Sequence, residues 1–150
     1  MTPTWMAPAR AAIDDLPPTL PGLVGAVRTA DEACHLLARS IGARSISTGP
    51  GAAALMCTTA VACLEPDDPT EASSANATRT ARAVTLPPPA DPSNPSHARE
   101  LEGLLRDCIE LAVAVLDNDE IDLDLAQVTD IGTAVSLLDR ARAHLLGLAQ

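Results

Sequence analysis

HARELEGLLRDCIELAVAVL, residues His97 to Leu116, is the stretch whose reading decides the fold. Leu101, Leu104, Leu105, Cys108, Ile109, Ala112, Val115 and Leu116 recur at the spacing that gathers side chains on one face of an α-helix. Glu102 and Arg106 stand four residues apart on the other side, a favourable ion-pair spacing, with Arg106 and Glu110 a pair of weaker orientation. From Leu111 to Leu116 the segment reads LAVAVL and is apolar all round. A helix end of that kind needs cover on more than one side, from another helix of the chain or from a second copy.

Toward the C-terminus, residues 117–123 form a short acidic turn that suits an antiparallel helical hairpin. Asp124 and Gln127 have the spacing of a capping box, and a second helix is expected over about residues 125–147. Its seam is Val128, Ile131, Val135, Leu138, Ala141, Leu145 and Leu148. Gly132 costs about 1 kcal/mol relative to Ala in a helix interior unless close packing offsets it. His144 sits near the C-terminal end, where an imidazolium interacts favourably with the helix dipole.

Toward the N-terminus, residues 66–95 carry Pro66, Pro69, Pro87, Pro88, Pro89, Pro92 and Pro95 among Ser, Thr, Ala and Asp. Such a segment cannot bury enough apolar area to offset its ordering entropy and reads as a linker, with residues 79–85 able to form a turn or two. Gly51 to Leu64 is Ala-rich and reads as a helix, a buried strand being the alternative, and residues 43–50 read as a polar loop. Leu20, Leu23, Val27, Ala30, Cys34, Leu37 and Ile41 form one stripe of a helix over about 20–41. Thr19 serves as its N-cap, Pro21 is tolerated in the first turn, and Gly42 suits the position after its end. Ala30 and Cys34 are small enough for a partner helix to approach closely. Residues 1–18, Pro-rich with little periodicity, read as a mobile arm.

The expected fold is all-α: an irregular helical bundle of about four helices with a C-terminal antiparallel helical hairpin and a Pro-rich linker. Its parts are an arm (1–18), an N-terminal helical segment (19–65), the linker (66–95) and the hairpin (96–150).

The composition excludes several chemistries. The 150 residues contain no Phe, Tyr or Lys, and Trp5 is the single aromatic residue. There is therefore no phenolic acid, no Schiff-base amine, no P-loop lysine and no stacking platform for bases. Codon bias in a GC-rich genome accounts for the same gaps and points to a bacterial, cytoplasmic protein. The core must come from Leu, Val, Ile and Ala, which bury large areas only when helices pack closely. A net charge of −10 and a pI near 4.5 disfavour binding to nucleic acid or anionic membrane. The longest apolar run, Ala52 to Leu64, is well short of the roughly 20 residues that span a bilayer, and no signal peptide is visible. Cys34, Cys57, Cys63 and Cys108 are scattered, with no C-x-x-C pair, and read as reduced core thiols.

Candidate motifs are each outweighed by a plainer reading. The acidic run Asp117 to Asp124 suggests calcium, but a loop begun at Asp117 puts Ile121 at a ligand position and Asp122 where glycine is required. A solvated turn whose Asp residues cap the next helix explains it. Gly49-Pro50-Gly51-Ala52-Ala53-Ala54 fits a dinucleotide fingerprint formally, yet no buried strand precedes it, and a flexible turn is the better reading. Cys34, His35, His97 and His144 match no zinc spacing, and a Cys–His nucleophile would need contacts only the fold supplies. A DNA-reading helix-turn-helix fails on turn length and on charge, because residues 97–150 hold four Arg against eleven Asp and Glu. Asn76-Ala77-Thr78 matches a glycosylation acceptor, which has no meaning without secretion.

The expected function is that of a small acidic, non-catalytic interaction or regulatory protein that buries apolar helical seams against a protein partner or a second copy of itself. The residues expected to carry it are Leu20, Leu23, Val27, Leu37, Ile41, Val128, Ile131 and Val135. No cofactor and no metal are expected. The alternative is a small-molecule-binding enzyme or accessory subunit of a bacterial pathway, with Cys108, His35 or Asp107 among the polar groups of its pocket.

Overall fold

The computed structural model describes residues 7–40, 49–64, 96–119 and 121–146, and all regular structure among them is helical. The helices are α1 (Ala7–Asp14), α2 (Leu20–Ser40), α3 (Gly49–Leu64), α4 (Ser96–Leu116) and α5 (Leu125–Leu145). Four long helices close a ring in which α2 packs on α3, α3 on α5, α5 on α4 and α4 back on α2. The short α1 lies against α4 and α2. This is bundle packing: the apolar stripes of α2, α4 and α5 must each be covered, and the Ala-rich α3, apolar on nearly every side, needs neighbours on more than one face.

The core is made almost wholly of aliphatic and small side chains. Leu23, Val27, Leu101, Leu104, Leu105, Val115, Ile131 and Leu138 are fully buried. Between them lie Ala26, Ala30, Ala33, Ala53, Ala60, Ala134 and Ala141. The most extensive contact is between α3 and α5, whose buried positions are rich in Ala. Short side chains let two helix backbones come close, so a core without Phe or Tyr can still reach native packing density.

Local chemistry sets the helix starts. Thr19 Oγ1 accepts from the Gly22 N–H at 3.3 Å, capping α2 as its spacing suggests. A Cβ on Gly22 would strike the Pro17 carbonyl oxygen, so the tight entry into α2 needs a glycine there. At α5 the capping box is complete: Asp124 Oδ1 accepts from Gln127 N at 2.7 Å, and Gln127 Oε1 accepts from Asp124 N at 2.9 Å.

Two local expectations need correction. Residues Ala7–Asp14, read as part of a mobile arm, form α1 and bury Ala9 and Ile13 in the core. About two turns of helix with two buried side chains is too short to stand out in a sequence, and only contact with α2 and α4 makes it worth ordering. Gly49-Pro50-Gly51, read as a flexible turn, is the first turn of α3. A proline early in a helix loses no internal hydrogen bond and brings a preset φ, which offsets the flexibility of its glycines. Ile41, Gly42, Leu148 and the segment 66–95 lie outside the described residues. Among the described residues no helix is long and apolar enough to cross a membrane.

Candidate functional site

Four polar or thiol clusters and one exposed apolar seam stand out. The first cluster ties α1 to α4. Arg10 Nε donates to Asp107 Oδ2 at 2.7 Å and Nη2 to Oδ1 at 3.1 Å, a two-point pair across 97 residues of sequence. The hydrogen bond to Asp107 raises the Arg10 pKa. Gly103, one turn before Asp107, leaves room for this arm, since a Cβ there would meet the Arg10 guanidinium at 3.0 Å. Asp107 is thereby engaged in holding α1 against α4.

The second cluster joins α4 to α5. Glu102 is 7 % exposed, and its Oε1 accepts from Arg142 Nε, from Arg142 Nη2 and from Arg106 Nη2, each at 2.8 Å. Arg142 also donates to Asp139 at 3.0 Å. Burial disfavours the Glu102 carboxylate, but the Arg142 and Arg106 hydrogen bonds outweigh it and hold its pKa below the ordinary value. Glu102 lies near the start of α4 and Arg142 near the end of α5, so the two helices run in opposite directions.

The third cluster lies between α2 and α3. Cys34 and Cys57 face each other in the core with their sulfurs 3.7 Å apart, and Cys108 Sγ donates to the Ala26 carbonyl at 3.4 Å. The contact with Cys57 and burial push the Cys34 thiol well up, and burial does the same to Cys108. Thiols kept protonated in this way are poor nucleophiles and poor ligands.

On the surface above the thiols, His35 Nε2 is 2.9 Å from Thr58 Oγ1 and 3.1 Å from Asp31 Oδ1, and the Thr58 hydroxyl donates to Asp31 at 2.7 Å. A catalytic triad uses the two imidazole nitrogens separately, one toward the hydroxyl and one toward the carboxylate. Here a single nitrogen meets both groups, and the hydroxyl proton already goes to Asp31. The arrangement is a polar clamp between two helices. Cys34 turns into the core while His35 turns outward, so the Cys–His pair of the sequence is not brought together.

The seam residues separate by environment. Leu23, Val27, Leu37 and Ile131 are buried against the chain's own helices. Leu20 and Val135 are partly buried, packed on the same core. Val128 is 39 % exposed, and Ile41 lies outside the described residues. Three further exposed apolar side chains accompany Val128 at the α4–α5 turn: Val113 (48 %) and Leu116 (39 %), both in the LAVAVL run, and Leu125 (82 %), which lies outside the apolar stripes.

The Glu102–Arg142 pair sets their relative register to within about a turn. Equal steps forward from Glu102 and backward from Arg142 bring Val113 to about the level of Ile131 and Leu116 to about that of Val128, since both helices rise equally per residue. The outer edge of the α4/α5 contact therefore runs from an ion cluster, with Leu146 (40 % exposed) beyond it, at one end to the four exposed side chains Val113, Leu116, Leu125 and Val128 at the other. Gly132 adjoins this edge, and a Cβ there would meet nothing within 4 Å. The sequence signal for this edge is LAVAVL: six apolar residues leave no polar side to face water.

No protein-family model matches this chain, and neither a curated protein nor a solved structure shows significant similarity to it.

Proposed function

We propose that this chain is a small acidic, non-catalytic interaction protein, of a regulatory kind, that acts by burying apolar helical surface against a protein partner. The observation that carries the reading is the exposure of Val113, Leu116, Leu125 and Val128 at one end of α4 and α5. A side chain the size of Leu gains roughly 1.5–3 kcal/mol on going from full exposure to full burial; Leu125, 82 % exposed, has most of that to gain, and Val113, Leu116 and Val128 each have less than half of it left. Val128 is the residue shared with the seam read from the sequence. Leu23, Val27, Leu37 and Ile131 supply the rigid core that holds the surface in shape.

Light scattering across concentration, together with hydrogen exchange in buffer and in cytosolic extract, tests the reading. The expected result is extra protection confined to about residues 113–132, either as concentration rises or in extract. A strictly monomeric chain whose exchange is the same in both media would end it.

A further inference from the structure

We infer that the outer α4/α5 seam is a docking surface for a basic amphipathic helix of another protein, anchored by apolar residues and flanked by Arg or Lys. The inference rests on the interaction reading above and adds the chemistry of the partner. Charge selects the occupant. Between Arg106 and Arg140 the sequence holds nine Asp or Glu and no Arg, Lys or His. Glu110 on α4 and Asp117 just past its end stand one turn before and one turn after Val113, and Asp119, Asp122 and Asp124 follow in the turn leading to Leu125. All five are exposed. The cations at the far end of the seam, Arg106 and Arg142, are bonded to Glu102 and do not neutralise this end.

A second copy is the wrong occupant, because a chain of net charge −10 brings more negative than positive charge to the same surface. An anionic membrane is repelled for the same reason. A helix with an apolar stripe and basic flanks satisfies both parts of the seam. It covers Val113, Leu116, Leu125 and Val128 and sets its cations against Glu110 and the turn carboxylates. The open space at Gly132 lets its backbone come close to α5.

Panning the full chain against displayed random peptides about 16 residues long, enough for four helical turns, tests this directly. The expected outcome is enrichment of sequences with apolar residues at helical spacing and Arg or Lys between them. A synthetic peptide from the enriched pool should bind at least about tenfold more weakly to Val113→Gln/Leu125→Gln, and more weakly still at high salt. Both replaced residues are exposed, so the variant keeps its fold, and circular dichroism checks that. Gly132→Arg, which sets a cation beside the seam in open space, should weaken binding as well.

Enrichment of acidic or uncharged sequences, of basic sequences lacking an apolar stripe, or of peptides indifferent to the double variant would overturn the inference. So would no enrichment at all. Self-association abolished by the same double variant would remove the basic partner while leaving the interaction reading intact. A monomer that enriches nothing and gains no protection in extract would remove both.

Discussion

The two ends of the α4/α5 pair are made by one sequence pattern and meet opposite fates. At the Glu102 end, α1 docks through Arg10 and Asp107, and Arg142 and Arg106 close over a buried carboxylate. At the Leu116 end the apolar spacing continues, yet Val113, Leu116, Leu125 and Val128 remain uncovered. Helical periodicity specifies how many faces are apolar. It does not specify how many neighbours arrive to cover them.

The largest expected effect lies in the closed part. Leu138→Ala, at a site with no exposure in the middle of α5, should lower unfolding free energy by about 2–5 kcal/mol in a urea titration. A smaller loss would mean that the bundle relaxes into the cavity and that this part is less tightly packed than its burial implies.

Glu102→Gln should cost about 1–3 kcal/mol, because it weakens the bonds to Arg142 and Arg106 at a buried position. The folded-state pKa of Glu102 lies below the unfolded value, so its stabilising contribution is present above the unfolded pKa, near 4.3, and is lost as pH falls through the folded pKa. Melting temperatures of the parent and of Glu102→Gln should therefore differ at pH 7 and converge as the pH falls through the lowered folded-state pKa of Glu102. A difference that persists unchanged in acid would show that packing, not ionisation, closes this end.

At the open end the effects shrink and one changes sign. Gly132→Ala should raise stability by about 0.5–1 kcal/mol in the same titration, since the added methyl meets nothing and the unfolded chain loses freedom. Leu125→Gln should move stability by no more than about 0.5 kcal/mol either way, because the side chain is already in solvent. A large loss there would mean that Leu125 is held by packing, and the contrast between the two ends would fail.

Much of the fold was legible because the signals are local. The starts and stripes of α2, α4 and α5 follow from Thr19, from the Asp124–Gln127 pair and from steps of three and four. Gly49-Pro50-Gly51 was misread because those residue types are common in turns and in first helical turns alike, and the choice depends on what α3 packs against. Arg10–Asp107 was illegible, since nothing in the spacing links residues so far apart. Leu125 escaped notice because it falls outside the α5 stripe, on the face away from the core.

The sequence by itself determined an all-helical class, an acidic composition with a single aromatic residue, and apolar stripes on α2, α4 and α5. Those properties depend on neighbouring residues and on composition, which a linear chain already contains. The tertiary structure alone decided which helices close into a four-membered ring, that α1 joins it, and that Val113 and Leu116 near the end of α4 stay exposed. Burial is a property of the neighbours a side chain meets, and those neighbours come from distant parts of the chain.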